Sequence, residues 1–95
     1  MALGLKGGVP QILSGTVNTT GSQYSLPFQT NHFNFRNSGA QTIRLFLTEA
    51  DFTSNANYVS IASSAELEGP MNIRNFWIKA ASATSTWEAI IYQRL

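Results

Sequence analysis

Charge is the scarcest property of this 95-residue sequence. Only 12% of its residues are Asp, Glu, Lys or Arg, roughly half the share of about 25% in an average soluble protein. Ser, Thr, Asn and Gln instead fill 32 of the 95 positions. A protein that diffuses alone normally keeps surface charge to stay dispersed, whereas charge on a permanently covered surface is costly to desolvate. The deficit therefore predicts permanent assembly, with an ordinary small β-domain as the alternative, because β-proteins favour Thr in any case.

Cysteine is absent, which excludes a disulfide framework, a thiolate metal site and a cysteine nucleophile. No run of about 18 apolar residues occurs, so no membrane-spanning helix is expected. The start, MALGLKGGVP, lacks the pattern of a signal peptide, and small secreted domains usually carry disulfides, so an intracellular origin is favoured. The net charge of +1 comes with scattered basic residues, which gives no footprint for nucleic acid. We therefore expect neither a nucleic-acid nor a membrane partner.

Residues that could carry chemistry are few. His32 is the only histidine and lies in an alternating segment, which indicates a surface position. Glu66 and Glu68 stand two apart and can face the same way, but a hard cation such as Ca²⁺ needs more oxygen ligands than these two supply. Gly4, Gly7 and Gly8 follow no strand and precede no Lys-Ser/Thr pair, so they do not form a phosphate loop. The sequence predicts a protein that is not an enzyme, without metal or cofactor.

The chain is long enough for one domain, which we divide into an extended N-terminal arm (1–10) and a β-domain (11–95). Period-2 alternation and turn residues predict a set of short strands, and the capping-box spacing of Thr48 and Asp51 predicts one helical turn before Asn55. No long period of 3.6 residues occurs. The expected fold is an all-β, single-domain antiparallel β-sandwich (jelly-roll-like) or a small barrel of six to eight short strands. The predicted strands are 11–17, 24–28, 32–36, 41–48, 58–61, 72–80 and 86–94, with a turn at 18–22 and a loop at 63–70.

Two hairpins are expected, one over 33–47 and one over 72–94. In the second, placing Ala80 opposite Trp87 gives the best separation of side chains. One face is then a core face and the other carries an apolar patch rimmed by charge, which is typical of a partner site unless the same chain covers it. The core face comprises Phe76, Ile78, Ala80, Trp87, Ala89 and Ile91, and the patch comprises Trp77, Ile90 and Tyr92.

The N-terminal arm supplies a second candidate interface. A Gly-rich segment that orders across a neighbour adds contact area at an entropic cost, and Leu3, Leu5 and Val9 are its candidate anchors. The alternative is a terminus without a role. The rings of Trp77, Trp87 and Tyr92 also allow a sugar-stacking platform, although Trp87 falls on the core face.

Four stretches resemble small β-sandwich virion proteins of tailed bacteriophages, of the capsid cement or decoration type: IRLFLTEADF (43–52), YVSI (58–61), ELEGP (66–70) and FWIKA (76–80). The resemblance covers about half of the chain. It implies a non-enzymatic protein on the capsid surface, made in the host cytoplasm, that clamps neighbouring major capsid subunits or binds another virion protein. It also implies a homo-oligomer, and we favour a trimer. A head–tail connector, a tail component and a carbohydrate-binding module are the alternatives.

Overall fold

The computed structural model describes residues 10–93 and shows eight strands and one short helix in that part of the chain. The helix is capped as its sequence predicts: the Thr48 hydroxyl accepts a hydrogen bond from the Asp51 amide, and Asn55 ends the helix in the left-handed conformation. The elements are β1 (Pro10–Val17), β2 (Ser22–Ser25), β3 (Thr30–Asn37), β4 (Ile43–Phe46), α1 (Glu49–Ser54), β5 (Val59–Ile61), β6 (Glu66–Pro70), β7 (Asn75–Ala80) and β8 (Ser85–Gln93).

The strands form two antiparallel four-stranded sheets that pack face to face. The first sheet has the order β1-β8-β3-β6, and the second has the order β2-β7-β4-β5. Strands 1 and 8, 2 and 7, 3 and 6, and 4 and 5 are therefore neighbours, as in a hairpin that has been folded over on itself. This is the strand order of a jelly roll. The predicted β-sandwich is confirmed, whereas the predicted arm (1–10) falls almost entirely outside the described residues.

Both predicted hairpins are wrong, because consecutive strands lie in different sheets. β3 belongs to the first sheet and β4 to the second, while β7 belongs to the second and β8 to the first. The segments 38–42 and 81–84 thus cross from one sheet to the other instead of closing a hairpin. The predicted loop 63–70 is also partly wrong, because its second half is the edge strand β6, paired with β3.

The core fills the space between the two sheets with aromatic and aliphatic side chains. All six residues of the predicted core face are at most 2% exposed. Five rings, spread over both sheets, lie with centroids 4.9 to 6.1 Å apart in stacked, tilted and edge-on pairs, which adds ring contact energy to simple burial. The rings are those of Tyr24, Phe33, Phe35, Phe76 and Trp87.

Two buried polar side chains hold the ends of β3 against the crossing segments. At the start of β3, the Thr30 hydroxyl donates to the Met71 carbonyl (2.7 Å) and accepts from the Ile73 amide (3.1 Å). At its end, the Asn37 amide nitrogen donates to the carbonyls of Gln41 (2.6 Å) and Ile61 (2.9 Å). Both side chains are fully buried. Because buried polar groups are costly unless paired, these bonds fix how the two sheets are joined at either end of β3.

A second, smaller apolar cluster lies on the outer face of the second sheet, beneath α1. Phe46 faces outward from β4 yet is fully buried, because the rings of Phe52 (5.5 Å) and Tyr58 (5.3 Å) pack against it. Lys79 lies over Phe52 at 4.7 Å from the ring centroid and donates to the Phe52 carbonyl. Trp77 is the register partner of Phe46 on the same face and is 9% exposed. Phe46 and Trp77 are therefore covered by the same chain.

The six residues of α1 fall far short of the length needed to cross a bilayer. Over residues 10–93, no helix is both long and apolar enough to span a membrane.

Candidate functional site

The outer face of the first sheet lies on the side of the sandwich opposite α1. Side chains at matching register positions form rows across the four strands. One row runs Ile12, Ile90, Asn34, Glu68, and the next runs Ser14, Glu88, Arg36, Glu66. The face is therefore apolar at its β1 end and acidic at its β6 end. Three of the five acidic residues of the chain lie on it, and Glu66 and Glu68 point the same way, as predicted.

A trough of about 300 Å³ crosses this face. Its volume is at the lower end of the range of about 300 to 1,000 Å³ typical of ligand pockets. All four strands contribute to its walls, which combine aliphatic side chains with carboxylate, guanidinium and amide groups. The lining residues are Ile12, Asn34, Arg36, Glu66, Glu88, Ala89 and Ile90.

The polar wall of the trough is only partly neutralised by contacts within residues 10–93. The Arg36 guanidinium lies 3.7 Å from the Glu88 carboxylate, with both side chains about half exposed, and such a pair contributes little to stability. Glu66 is the register partner of Arg36 on the other side, but it makes no ion pair in the described part of the chain. Two carboxylates and one guanidinium thus leave the trough with an excess of negative charge.

The apolar wall of the trough lies on β1 and is exposed to solvent. Ile12 is 74% exposed, the highest value among the large hydrophobic side chains of residues 10–93. Its partner Ile90 on β8 is half-buried and forms the adjoining floor. Burial of a large aliphatic side chain is worth about 1.5 to 3 kcal/mol, so this wall is a favourable place for a partner to dock.

Next to the trough, His32 is tied into the sheet surface. Its Nε2 lies 3.3 Å from a Glu68 carboxylate oxygen, and its ring meets the Tyr92 ring edge-on at 5.4 Å. The side chain is only 14% exposed. His32 therefore lies on an outer face, as the alternation predicts, but neighbouring side chains cover most of it.

β1 also exposes a backbone edge. It has eight residues, PQILSGTV, without a charged side chain, and among the described residues it pairs only with β8. The other three edges are shorter or carry residues that discourage pairing. β2 and β5 have four and three residues, and β6 carries Glu66, Glu68 and Pro70. Since proteins normally protect long edges against pairing with another chain, the β1 edge is a second candidate contact of the same sheet.

The predicted patch of Trp77, Ile90 and Tyr92 does not exist as one surface. Ile90 and Tyr92 lie on the outer face of the first sheet, whereas Trp77 lies on the outer face of the second sheet, under the α1 side. Trp87 is in the core at 2% exposure, so the three rings considered for a sugar platform lie on three different surfaces. The candidate anchors Leu3, Leu5 and Val9 lie outside the described residues.

The trough has no local signal in the sequence, because its residues come from four strands that are distant along the chain. Alternation places Ile12 on the face opposite Leu13, and it places Glu66 beside Glu68 on one side. No local pattern shows that β1 and β6 belong to the same sheet. A jelly-roll strand order places the strands that carry Ile12, Ile90 and Asn34 side by side, but it does not fix their register, so the row that these residues form could not be predicted.

In the interior, the five core rings pack against one another with centroids 4.9 to 6.1 Å apart. Within residues 10–93, no group of three or more His, Asp or Glu side chains is arranged to hold a metal ion. One polar atom of the core, the Trp87 indole nitrogen, is buried without a hydrogen-bond partner within residues 10–93. It lies beside Gly15 of β1, where an added Cβ would be 3.3 Å from it.

No protein-family model and no curated protein matches the sequence, but solved structures share its fold. The chain is similar to the cupin-2 domain of an XRE family transcriptional regulator from Enterobacter cloacae, with a TM-score of 0.60 and 7% identity over 90% of this chain and 83% of that one. It is similar to the EutQ protein of Clostridium difficile, with a TM-score of 0.54 and 11% identity over 88% of this chain, and it spans 56% of the EutQ chain.

A third similar structure comes from the Bacillus endospore appendages, described as disulfide-linked pili. The TM-score is 0.51 and the identity 14%, and the match covers 100% of this chain and 98% of that chain. Identities between 7% and 14% show a common fold and nothing finer. The fold is thus shared with a cupin domain and with a pilus protein alike.

Proposed function

We propose that the protein is a non-enzymatic structural subunit that associates with copies of itself and with neighbouring proteins in a larger particle. The observation that carries the proposal is the open side of the first sheet: the uncharged β1 edge and the exposed Ile12 beside the trough. Isolated domains normally protect a long strand edge against pairing with another chain, and Ile12 adds apolar contact area beside this edge. The low overall charge supports the same proposal, because an uncharged strand such as β1 is cheap to desolvate.

The particle we propose is a virion, with the protein as a cement or decoration protein on the capsid surface. The support for this narrower step is the resemblance of four stretches between residues 43 and 80 to small head proteins of tailed bacteriophages. In that role the chain clamps major capsid subunits, and a head–tail or tail position would use the same surfaces. A closed homo-oligomer, with a trimer favoured, fits a capsid site better than an open chain of subunits.

A fibre subunit is the second candidate, and one observation favours it. The match with the endospore appendage protein covers nearly the whole length of both chains. Those appendages are described as disulfide-linked, and this chain contains no cysteine. A fibre of this protein would therefore depend on non-covalent contacts alone.

A pair of matched variants tests whether the first sheet mediates association. Ile12→Lys removes apolar contact area and adds a charge at the proposed interface. Leu47→Lys makes the same change at an exposed leucine (44% exposed) beyond the end of β4. Because burial of Ile12 is worth about 1.5 to 3 kcal/mol, we expect Ile12→Lys to raise the dissociation constant by about 10- to 100-fold.

Sedimentation velocity at several concentrations measures the change, and far-ultraviolet circular dichroism confirms that both variants fold. Leu47→Lys is expected to assemble like the unmodified protein. Equal weakening by both variants, or by neither, would contradict a role for the first sheet. Electron microscopy of the same samples separates the two candidate functions, since the capsid role predicts discrete particles and the fibre role predicts filaments.

A further inference from the structure

We infer that the trough on the first sheet binds the N-terminal segment (residues 1–9) of a second copy of this chain. The inference rests on the proposed self-association and names one contact through which it occurs. The segment is MALGLKGGV, and the trough is the site lined by Ile12, Asn34, Arg36, Glu66 and Glu88 with Ala89 and Ile90.

The composition of the segment complements the trough. Leu3 and Leu5 are large apolar side chains shortly before Lys6, and they match the wall formed by Ile12 and Ile90. Lys6 is the only charged side chain among residues 1–9, and it matches the excess negative charge of the trough. Within the described residues Glu66 makes no ion pair, so its carboxylate can accept a charge-assisted hydrogen bond from the Lys6 ammonium.

The position of the segment favours a trough on another copy. Residue 9 joins β1 at Pro10, which pairs with Tyr92, only two residue pairs from Ile12 and Ile90. To enter the trough of its own sheet, the segment would have to reverse direction within a few residues. Nine extended residues reach about 30 Å, so the same segment can cross to a neighbour without a reversal.

The absence of cysteine provides a clean test by disulfide trapping. One full-length chain carries Leu5→Cys and a second, of different mass through a tag, carries Asn34→Cys on the trough floor. The two are mixed and oxidised with glutathione disulfide. A segment bound in the trough holds its thiol close to the second thiol, at an effective concentration in the millimolar range. The control mixture replaces the Asn34→Cys chain with a Leu47→Cys chain. At micromolar protein, we expect the mixed disulfide to form about 100-fold faster with Asn34→Cys than in this control.

A charge exchange in the full chain gives an independent readout. Lys6→Glu and Glu66→Lys are each expected to weaken association by about fivefold, as removal of a partly exposed ion pair does. The chain carrying both substitutions is expected to recover most of the loss. Glu49→Lys in the first turn of α1 is the control, because it makes the same change on the other side of the sandwich.

The trapping and charge-exchange experiments together separate the possible contacts of the segment. Rapid trapping between two chains, with recovery in the double charge variant, supports the inference. If trapping is no faster than in the Leu47→Cys control although the protein still assembles, the contact is wrong and the proposed function stands. If a single chain with both Leu5→Cys and Asn34→Cys closes an internal disulfide while mixed chains do not react, the segment occupies its own trough and the inference is overturned. A protein that neither traps nor assembles overturns both.

Discussion

Asn37 offers the sharpest test of how this sandwich is held together. Its side chain is fully buried at the end of β3, and it uses both ends of the amide. The nitrogen donates to the carbonyls of Gln41 and Ile61, and the oxygen accepts from the Gly39 amide (3.0 Å) and the Ser85 hydroxyl (2.9 Å). Asn37→Asp preserves the shape and the two accepted bonds, but it replaces the donor with an oxygen that faces two carbonyl oxygens.

The expected loss of stability follows from these bonds. Each donated hydrogen bond contributes about 0.5 to 1.5 kcal/mol, and two buried carbonyls lose their donor at once. An ionised carboxylate at this position is also a buried charge without a cation, for which losses of about 3 to 5 kcal/mol are usual. We therefore expect Asn37→Asp to lower the free energy of unfolding by about 3 to 5 kcal/mol at pH 7. A small domain has roughly 5 to 15 kcal/mol in total.

The loss is expected to depend on pH. Burial and the two facing carbonyls raise the pKa of the carboxyl introduced by Asn37→Asp above its ordinary value in the folded protein, because they disfavour the charged form. The protonated carboxyl can donate one of the two lost hydrogen bonds. A carboxyl whose folded-state pKa is raised destabilises least at low pH, and the penalty grows as pH rises from about 4 towards the folded-state pKa. The difference in the free energy of unfolding between Asn37→Asp and the unmodified protein is therefore expected to grow between pH 4 and pH 7.

Urea unfolding followed by tryptophan fluorescence measures this difference, since Trp77 and Trp87 are both buried. Asn18→Asp is the matched control: the exposed Asn18 oxygen accepts from the amides of Thr20 and Gly21, and a carboxylate oxygen can do the same. We expect Asn18→Asp to remain within about 0.5 kcal/mol of the unmodified protein. Equal unfolding midpoints for the two variants at every pH would refute the role assigned to Asn37.

Two further substitutions test the outer cluster beneath α1. Gly21→Ala is expected to cost about 1 to 3 kcal/mol, because its φ of +90° disfavours an L side chain and an added Cβ would lie 2.6 Å from the Phe52 ring. Gly69→Ala, where a Cβ meets nothing within 4 Å, is its control, and an equal loss in the two variants in a urea titration would contradict the expectation. Trp77→Ala is expected to lower the free energy of unfolding by about 3 to 5 kcal/mol, as for other buried aromatic residues. Unchanged stability with weakened association would instead make Trp77 an interface residue.

Features that depend on neighbouring residues alone were predicted correctly: side-chain direction along a strand, the helix cap and the first turn. Alternation placed Phe76, Ile78, Trp87 and Ile91 in the core whichever sheet each strand joined, because side-chain direction depends only on the strand itself. The capping residue Thr48 and the turn at Asn18 were predicted for the same reason, since both depend on hydrogen bonds within three residues.

Sheet membership was not predicted, because contacts between distant strands decide it. The segments 38–42 and 81–84 have the length of hairpin loops, yet each crosses between the sheets. At the first crossing, Asn37 donates a buried hydrogen bond to the Ile61 carbonyl at the end of β5 and accepts one from the Ser85 hydroxyl at the start of β8. The sequence of β6 predicts a loop, because Leu67 is its only large apolar residue and the other four residues are Glu, Gly and Pro, which are uncommon in strands. The trough was beyond prediction for the same reason, since it requires β1, β8, β3 and β6 to be adjacent.

The proposed function requires that the protein associates with copies of itself, and the native mass shows whether it does. Multi-angle light scattering of the purified full chain, over a dilution series from about 100 to about 1 μM, spans the range in which a specific oligomer of micromolar or better affinity persists. We expect a closed oligomer, with a trimer favoured, whose mass stays constant through most of the series. A mass equal to one chain at every concentration would contradict it.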